Sequence, residues 1–330
     1  MSSGGNQKVL KLLENYGIVL VLIGIMAFLT WTQPLYFLTA ENLSNIIKQN
    51  AAPAMLALGM FIVIVTAGID LSVGSVMALA MVSLAILDKS FGWPWYIVIF
   101  VGPLVGIAAG WVNGIGLTWL KLPHPFIMTL GTLNIARGLT NLVTNAAPVS
   151  GLQPEVRYAG REVYSLGIFD PPAGIPVSVL VVTVSALSLW FFLNRTNVGR
   201  HVYAIGGNPQ AARVSGVNVD RVLIYVYMIC GCFAGIAGLL LAGRTDSGFP
   251  NAGIGSELDA IAAVIIGGAS FFGGRGTVGG VIAGVLIIGL MRNGLNLNNV
   301  SVFWQQILIG VVIIVAVYID VLRRRAAVRK

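Results

Sequence analysis

Arg195-Thr-Asn-Val-Gly-Arg-His-Val-Tyr-Ala-Ile-Gly-Gly-Asn-Pro-Gln-Ala-Ala-Arg-Val-Ser-Gly-Val-Asn-Val-Asp-Arg-Val222 interrupts a chain that is otherwise strongly apolar. The stretch carries four arginines and one histidine against a single carboxylate. By the positive-inside rule, a loop so biased stays on the cytoplasmic side of a membrane. Its middle also reads as a helix: Asn208 suits an N-cap, Pro209 the first helical position, Ala211 and Ala212 the interior, and Gly216 the close. That helix has only about two turns, too short to be stable alone in water, because nucleation is costly and few hydrogen bonds follow it. Placed after Gly206-Gly207, read as a flexible joint, it points to a soluble partner that holds it.

Across the whole chain, charged residues make up 10% and hydrophobic ones 57%. A soluble domain carries about 25% charge, so these values describe a polytopic membrane protein. The net charge of +8 does not indicate nucleic acid, because 11 of the 20 Lys and Arg fall in three places: Lys8 and Lys11, the central loop, and the tail Arg323, Arg324, Arg325, Arg329 and Lys330. The clusters read as topology signals that put the N-terminus, the central loop and the C-terminus in the cytoplasm. The first apolar run lacks a small-x-small cleavage site and reads as a retained span. Cys230 and Cys232 point to different faces of one helix, which supports neither a disulfide nor a metal site.

Apolar runs fall near 16–33, 51–67, 71–88, 95–120, 126–146, 176–194, 223–243, 259–272, 277–293 and 302–320. Six precede the central loop and four follow it, even counts that agree with one side for both termini and the loop. The expected fold is all-α, a polytopic integral membrane protein of about ten transmembrane helices. Residues 1–15 form a cytoplasmic N-terminus, 16–322 a transmembrane domain containing the 195–222 loop, and 323–330 a basic cytoplasmic tail. The second and third runs are parted only by Gly68-Ile69-Asp70, and the eighth is short, so broken or re-entrant segments are expected there. Residues 147–175 and 244–257 then lie outside. Glycines 102, 106, 110 and 114 recur every fourth residue and mark a face for close helix packing, as do Gly231, Gly235 and Gly238, and then Gly280 and Gly284.

The chain has no Walker A pattern, no HExxH and no GxSxG, so nothing in it reads as a P-loop, a metalloprotease or a serine-hydrolase centre. Ionisable groups within spans are costly and need a reason. Asp70 lies in Gly68-Ile-Asp-Leu-Ser-Val-Gly-Ser75, where Asp70 or Ser72 can cap the helix that follows; substrate contact is the other reading. Thr129, Thr132, Asn134 and Arg137 make a polar run in which the two threonines share a side and Asn134 turns away. With Asn113 they form a candidate pathway for a polyhydroxylated solute, and hydrogen bonding between helices is the alternative. Arg292 reads as interfacial, and Glu257 and Asp259 as first-turn carboxylates favoured by the helix dipole.

Gly68 to Ser75, Pro125-Phe-Ile-Met-Thr-Leu-Gly131, Ala204-Ile-Gly-Gly-Asn208 with Ala211-Ala-Arg213 and Ser215-Gly216, Glu257 to Ala263, and Gly267-Gly268 through Gly274-Arg-Gly276 together resemble the membrane permeases of monosaccharide ABC importers of the ribose-transport type. The resemblance runs from about residue 45 to 320. It implies a subunit of the bacterial inner membrane, working as a pair of permeases surrounded by lipid, with a cytoplasmic ATPase and a periplasmic sugar-binding protein. It implies no enzymatic activity and no cofactor of the chain's own. It also implies that Asn208, Pro209, Ala211, Ala212, Arg213 and Gly216 form the coupling helix that meets the ATPase. The pathway candidates, Asp70, Ser72, Asn113, Thr129, Asn134 and Arg137, rest on their polarity within apolar runs. Related permeases often read Gly-Leu-Asn-Leu-Leu-Gly-Val-Ser where this chain has Gly294-Leu-Asn-Leu-Asn-Asn-Val-Ser301. Permeases for branched-chain amino acids or nucleosides, and a proton-coupled carrier using Asp70 or Asp259, are the alternatives.

Overall fold

The computed structural model describes residues 3–122, 124–165 and 174–328. Thirteen helices account for 77% of the structure. In chain order they are α1 (Ser3–Thr32), α2 (Ala40–Val65), α3 (Val73–Lys89), α4 (Trp95–Trp119), α5 (Pro125–Thr144), α6 (Pro154–Arg161), α7 (Val177–Arg195), α8 (Asn197–Gly207), α9 (Pro209–Val214), α10 (Val219–Thr245), α11 (Ser256–Ile266), α12 (Val278–Leu297) and α13 (Val302–Val328). Two antiparallel ribbons complete the described elements: β1 (Val149–Ser150) with β4 (Ser247–Gly248), and β2 (Val163–Ser165) with β3 (Gly174–Pro176).

Each of the ten apolar runs contains a helix, so the all-α, polytopic reading holds. Five of these helices, α2, α4, α7, α10 and α12, are long and apolar enough to cross a membrane, and Gly17–Thr32 and Val302–Tyr318 are shorter apolar segments. Three runs differ for physical reasons. Helix α3 has 17 residues, α5 is diluted by its threonines, Asn134 and Arg137, and α11 has 11 residues. At a rise of about 1.5 Å per residue, α11 reaches only about half of a ~30 Å hydrocarbon layer. It is a half-helix, as the short eighth run suggests.

The turns gather into two sets, one at each end of the bundle. At one end the backbone N–H of Gly274 donates to Val65 O at 2.8 Å, Tyr203 Oη donates to Gly276 O, and Asp320 Oδ2 accepts from Ser270 Oγ and from the Phe271 N–H. At the other, β1 pairs with β4, Gln33 donates to Asn298, Asn42 pairs with Asn293, and Arg157 bridges to Asp246 at 3.0 Å. Asn299 stands where related permeases often have Gly, and its φ is 56°. Asparagine tolerates that left-handed conformation better than most residues, and Asn298 beside it caps α12.

Helix α10 is the centre of the molecule, packed on α4, α2 and α3. The fourfold glycine spacing explains its contact with α4. The two helices run antiparallel, Gly102 facing Gly235, Gly106 facing Gly231 and Gly110 facing Tyr227. A Cβ on Gly106 would lie 1.9 Å from Gly231 O, and one on Gly231 would lie 2.0 Å from Gly106 O. Backbone therefore meets backbone, and van der Waals contact drives the pairing where lipid removes the hydrophobic incentive. The α11–α12 pair repeats the device: Gly284 crosses Ala263 and Gly280 crosses Gly267.

Gly106→Val therefore forces α4 and α10 apart, and its overpacking costs at least about 1–3 kcal/mol. Gly138→Ala in α5, whose added Cβ meets nothing within 4 Å, gains up to about 1 kcal/mol of helix propensity. Thermal unfolding of the detergent-solubilised protein should show a lowered transition for the first and an unchanged or raised one for the second.

Candidate functional site

The short helix in the central loop forms as its sequence dictates. Asn208 Oδ1 accepts from the N–H groups of Gln210 and Ala211, both at 3.0 Å, and Pro209 starts α9 where no donor is needed. Such a cap stabilises a helix by about 1 kcal/mol. At the far end Gly216 takes φ +86°, and the Val217 N–H reaches back to Ala212 O at 3.1 Å.

Only one of the six proposed coupling residues is turned inward. Ala212 is 5% exposed and joins the main core, so it seats α9 on its own protein. Asn208, Pro209, Ala211, Arg213 and Gly216 are exposed. Arg213 forms an exposed ion pair with Asp220 at 3.1 Å, worth little to stability because water screens it. Val214, absent from the sequence-based list, is 90% exposed.

Gly206-Gly207 is not the flexible joint expected. Both residues close α8, and a Cβ on Gly206 would lie 1.8 Å from Val65 O and 2.5 Å from Gly274 N. Glycine stands there because three stretches of backbone cross. Through this junction α9 is tied to the end of α2 and to the loop joining α11 and α12.

The candidate pathway residues divide into two groups. Asp70, Ser72, Asn113 and Thr129 come together, with Thr132, in a buried node in which no member is more than 7% exposed. Asp70 Oδ1 accepts from the Ser72 N–H at 2.9 Å and from Ser72 Oγ at 2.6 Å. Asn113 Nδ2 donates to Ser72 Oγ at 2.9 Å, and Thr132 Oγ1 donates to Asn113 Oδ1 at 2.5 Å. Thr129 Oγ1 accepts from the Leu71 N–H. Ser72 holds the N-cap position of α3 without a side-chain cap bond. Asp70 closes the preceding turn instead of capping the helix, so the break between α2 and α3 is bonded to α4 and α5.

Asn134 and Arg137 lie apart from the node. Asn134 is on the exposed side of α5, its amide donating to Leu130 O within its own helix. Arg137 donates to Pro250 O, which ties α5 to the loop before α11. The buried placement of Thr129 and Thr132 and the outward turn of Asn134 agree with their spacing.

A polar cavity of 250 Å³ lies elsewhere, between α2, α10, α11 and α12. Its polar walls are Gln49, Asn50, Arg244, Ser256, Arg292 and Asn293. None of the sequence-based pathway residues lines it. Both Asp259 oxygens accept from Arg292, at 2.8 and 2.7 Å, so Arg292 is paired and not simply interfacial. The available signal was the adjacency of Gln49-Asn50 and of Arg292-Asn293 at the ends of apolar runs.

A family profile described as "Branched-chain amino acid transport system / permease component" matches residues 42–317. The chain is 42% identical over 291 residues to the ribose import permease protein of Bacillus subtilis, covering 88% of this chain and 87% of that one. It is 40% identical over 308 residues to the D-allose transport system permease protein of Escherichia coli K12, covering 93% and 91%. It is 35% identical to the xylose transport system permease protein of the same strain, covering 98% and 96%. No solved structure matches. The chain, a transport subunit and not an enzyme, belongs to the family of ABC-importer membrane permeases in which these sugar permeases fall.

Proposed function

We propose that the chain carries a monosaccharide across a bacterial inner membrane as one of two permeases in an ATP-driven importer. A separate ATPase hydrolyses ATP, and a soluble outer protein delivers the sugar. Identity of 35–42% to ribose, allose and xylose permeases along nearly the whole chain carries this reading. In this reading the ten helical runs span or enter the bilayer, and the N-terminal segment, the central loop and the basic tail face the cytoplasm. Lipid covers the outer helices, since only 22% of the most apolar windows of α4 and α7 is buried.

Helix α9 meets the ATPase through Asn208, Pro209, Ala211, Arg213, Val214 and Gly216, with Ala212 anchoring it from behind. The buried node around Asp70 holds the α2–α3 break to α4 and α5, so that the break moves with its neighbours as one body. The description of the family profile favours a second reading, a branched-chain amino acid as cargo. Reconstitution in proteoliposomes with the cognate ATPase and a sugar panel decides. ATP-dependent accumulation of a monosaccharide is expected, and accumulation of leucine in its place would replace the proposal.

Two sets of variants test the parts. Arg213→Glu and Val214→Asp should each weaken co-purification of the ATPase and lower sugar carried per ATP by about tenfold, the equivalent of one charged contact; wild-type coupling would remove α9 from the interface. Asn113→Leu strands its buried partners at a cost of about 1–3 kcal/mol, visible as a lower unfolding temperature. Asn134→Leu, on the exposed side of α5, should leave that temperature unchanged.

A further inference from the structure

The cavity between α2, α10, α11 and α12 has an organisation that packing does not explain. One stripe of α2 faces it, with Ile46, then Gln49 and Asn50, then Pro53 and Leu56 at helical spacing. Opposite stand the last turn of α10, carrying Arg244, and the end of α12, carrying Arg292 and Asn293. Asp259 neutralises Arg292 by a two-oxygen contact, which leaves Arg244 as the unmatched charge in the wall.

The side chains of Gln49 and Arg244 have no hydrogen-bond partner among the described residues, and both are exposed. Their amide and guanidinium groups, not tied down by protein, are open to a solute that exchanges for the water around them. The volume, 250 Å³, lies just under the ~300–1,000 Å³ typical of drug-sized ligands and suits a smaller solute.

We propose that this cavity is a sugar subsite on the translocation route, where Gln49, Asn50 and Arg244 hydrogen-bond the hydroxyl groups of a neutral monosaccharide. The inference rests on the transport function proposed above and adds where in the chain the solute is held. The chemistry selects a polyol. Amides both donate and accept, and a guanidinium presents a planar fork that two neighbouring hydroxyl oxygens can share. Ile46, Pro53 and Leu56 offer the apolar flank against which the C–H face of a sugar ring lies. Because α2 and the α11–α12 loop meet the end of α8 at the Val65–Gly206–Gly274 crossing, with Gly207 and Asn208 between it and α9, movement of α9 passes through α8 to two elements that wall this cavity.

The test uses the whole importer in proteoliposomes, with ATPase and loaded binding protein, and compares wild type with Gln49→Leu, Gln49→Asn and Arg244→Gln. Gln49→Leu and Arg244→Gln should lower sugar accumulated per ATP hydrolysed by about tenfold each, the loss of a hydrogen bond of about 1.4 kcal/mol. ATP hydrolysis stimulated by the binding protein should stay within about twofold, and Gln49→Asn should recover part of the transport. A wild type that accumulates sugar beside Gln49→Leu and Arg244→Gln variants that do so equally well overturns the subsite and leaves the transport function standing. A wild type that accumulates no sugar overturns both. Gln49 is exposed, so its variants remain folded and decide the matter even if Arg244→Gln fails to assemble.

Discussion

The hydrocarbon layer supplies no water to a broken backbone, so every departure from helix at that depth must find its hydrogen bonds inside the protein. The break between α2 and α3 meets the condition three ways. The N–H groups of Thr66, Ala67 and Gly68 fold back onto Val63 and Ile64; the Ser72 N–H turns to Asp70, and the Leu71 N–H to Thr129. The loop after α11, at the end of the bundle, is likewise satisfied by protein, through Arg275 O, Val65 O and the carboxylate of Asp320. The polar residues of the apolar segments are therefore distributed by need. Asp70, Asn113, Thr129 and Thr132 sit where a chain break requires them.

That requirement explains why small residues run through the centre. Bonds between a broken segment and its neighbours demand that helices approach closely, and α10 can serve as the axis because glycine lines its contacts with α4. Larger side chains there would separate α4 from α3 and pull Asn113 out of reach of Ser72 and Asp70. Close packing and polar satisfaction are thus one arrangement seen from two directions.

What could be read from the residues follows the range of the interaction. The caps of α9, the close-packing faces marked by Gly102, Gly106 and Gly110 and by Gly231 and Gly235, and the half-helix at α11 depend on neighbours in sequence or on a repeated spacing, and they are legible in the sequence; which face meets which, and in what direction, is not. The Arg292–Asp259 pair and the closure of the cavity join residues remote in sequence, and the polar pairs Gln49-Asn50 and Arg292-Asn293 give only a weak local sign of them. Asp70 can serve as a cap or as a turn residue, and only its bonds to Ser72 tell which. Gly206-Gly207 shows the limit most directly. Glycine permits both a loose joint and a tight crossing, and only the backbone lying against it tells the two apart.

The crossing at Gly206 has a mechanical meaning. With Val65, Gly206 and Gly274 in direct backbone contact, the end of α8 is held to the bundle, and only Gly207 and Asn208 separate that hold from α9. A load on it therefore bears on a crossing only two residues away, where the α2 terminus and the α11–α12 loop lie against the same glycine. Stiffness at one glycine thereby turns a small surface helix into a crank.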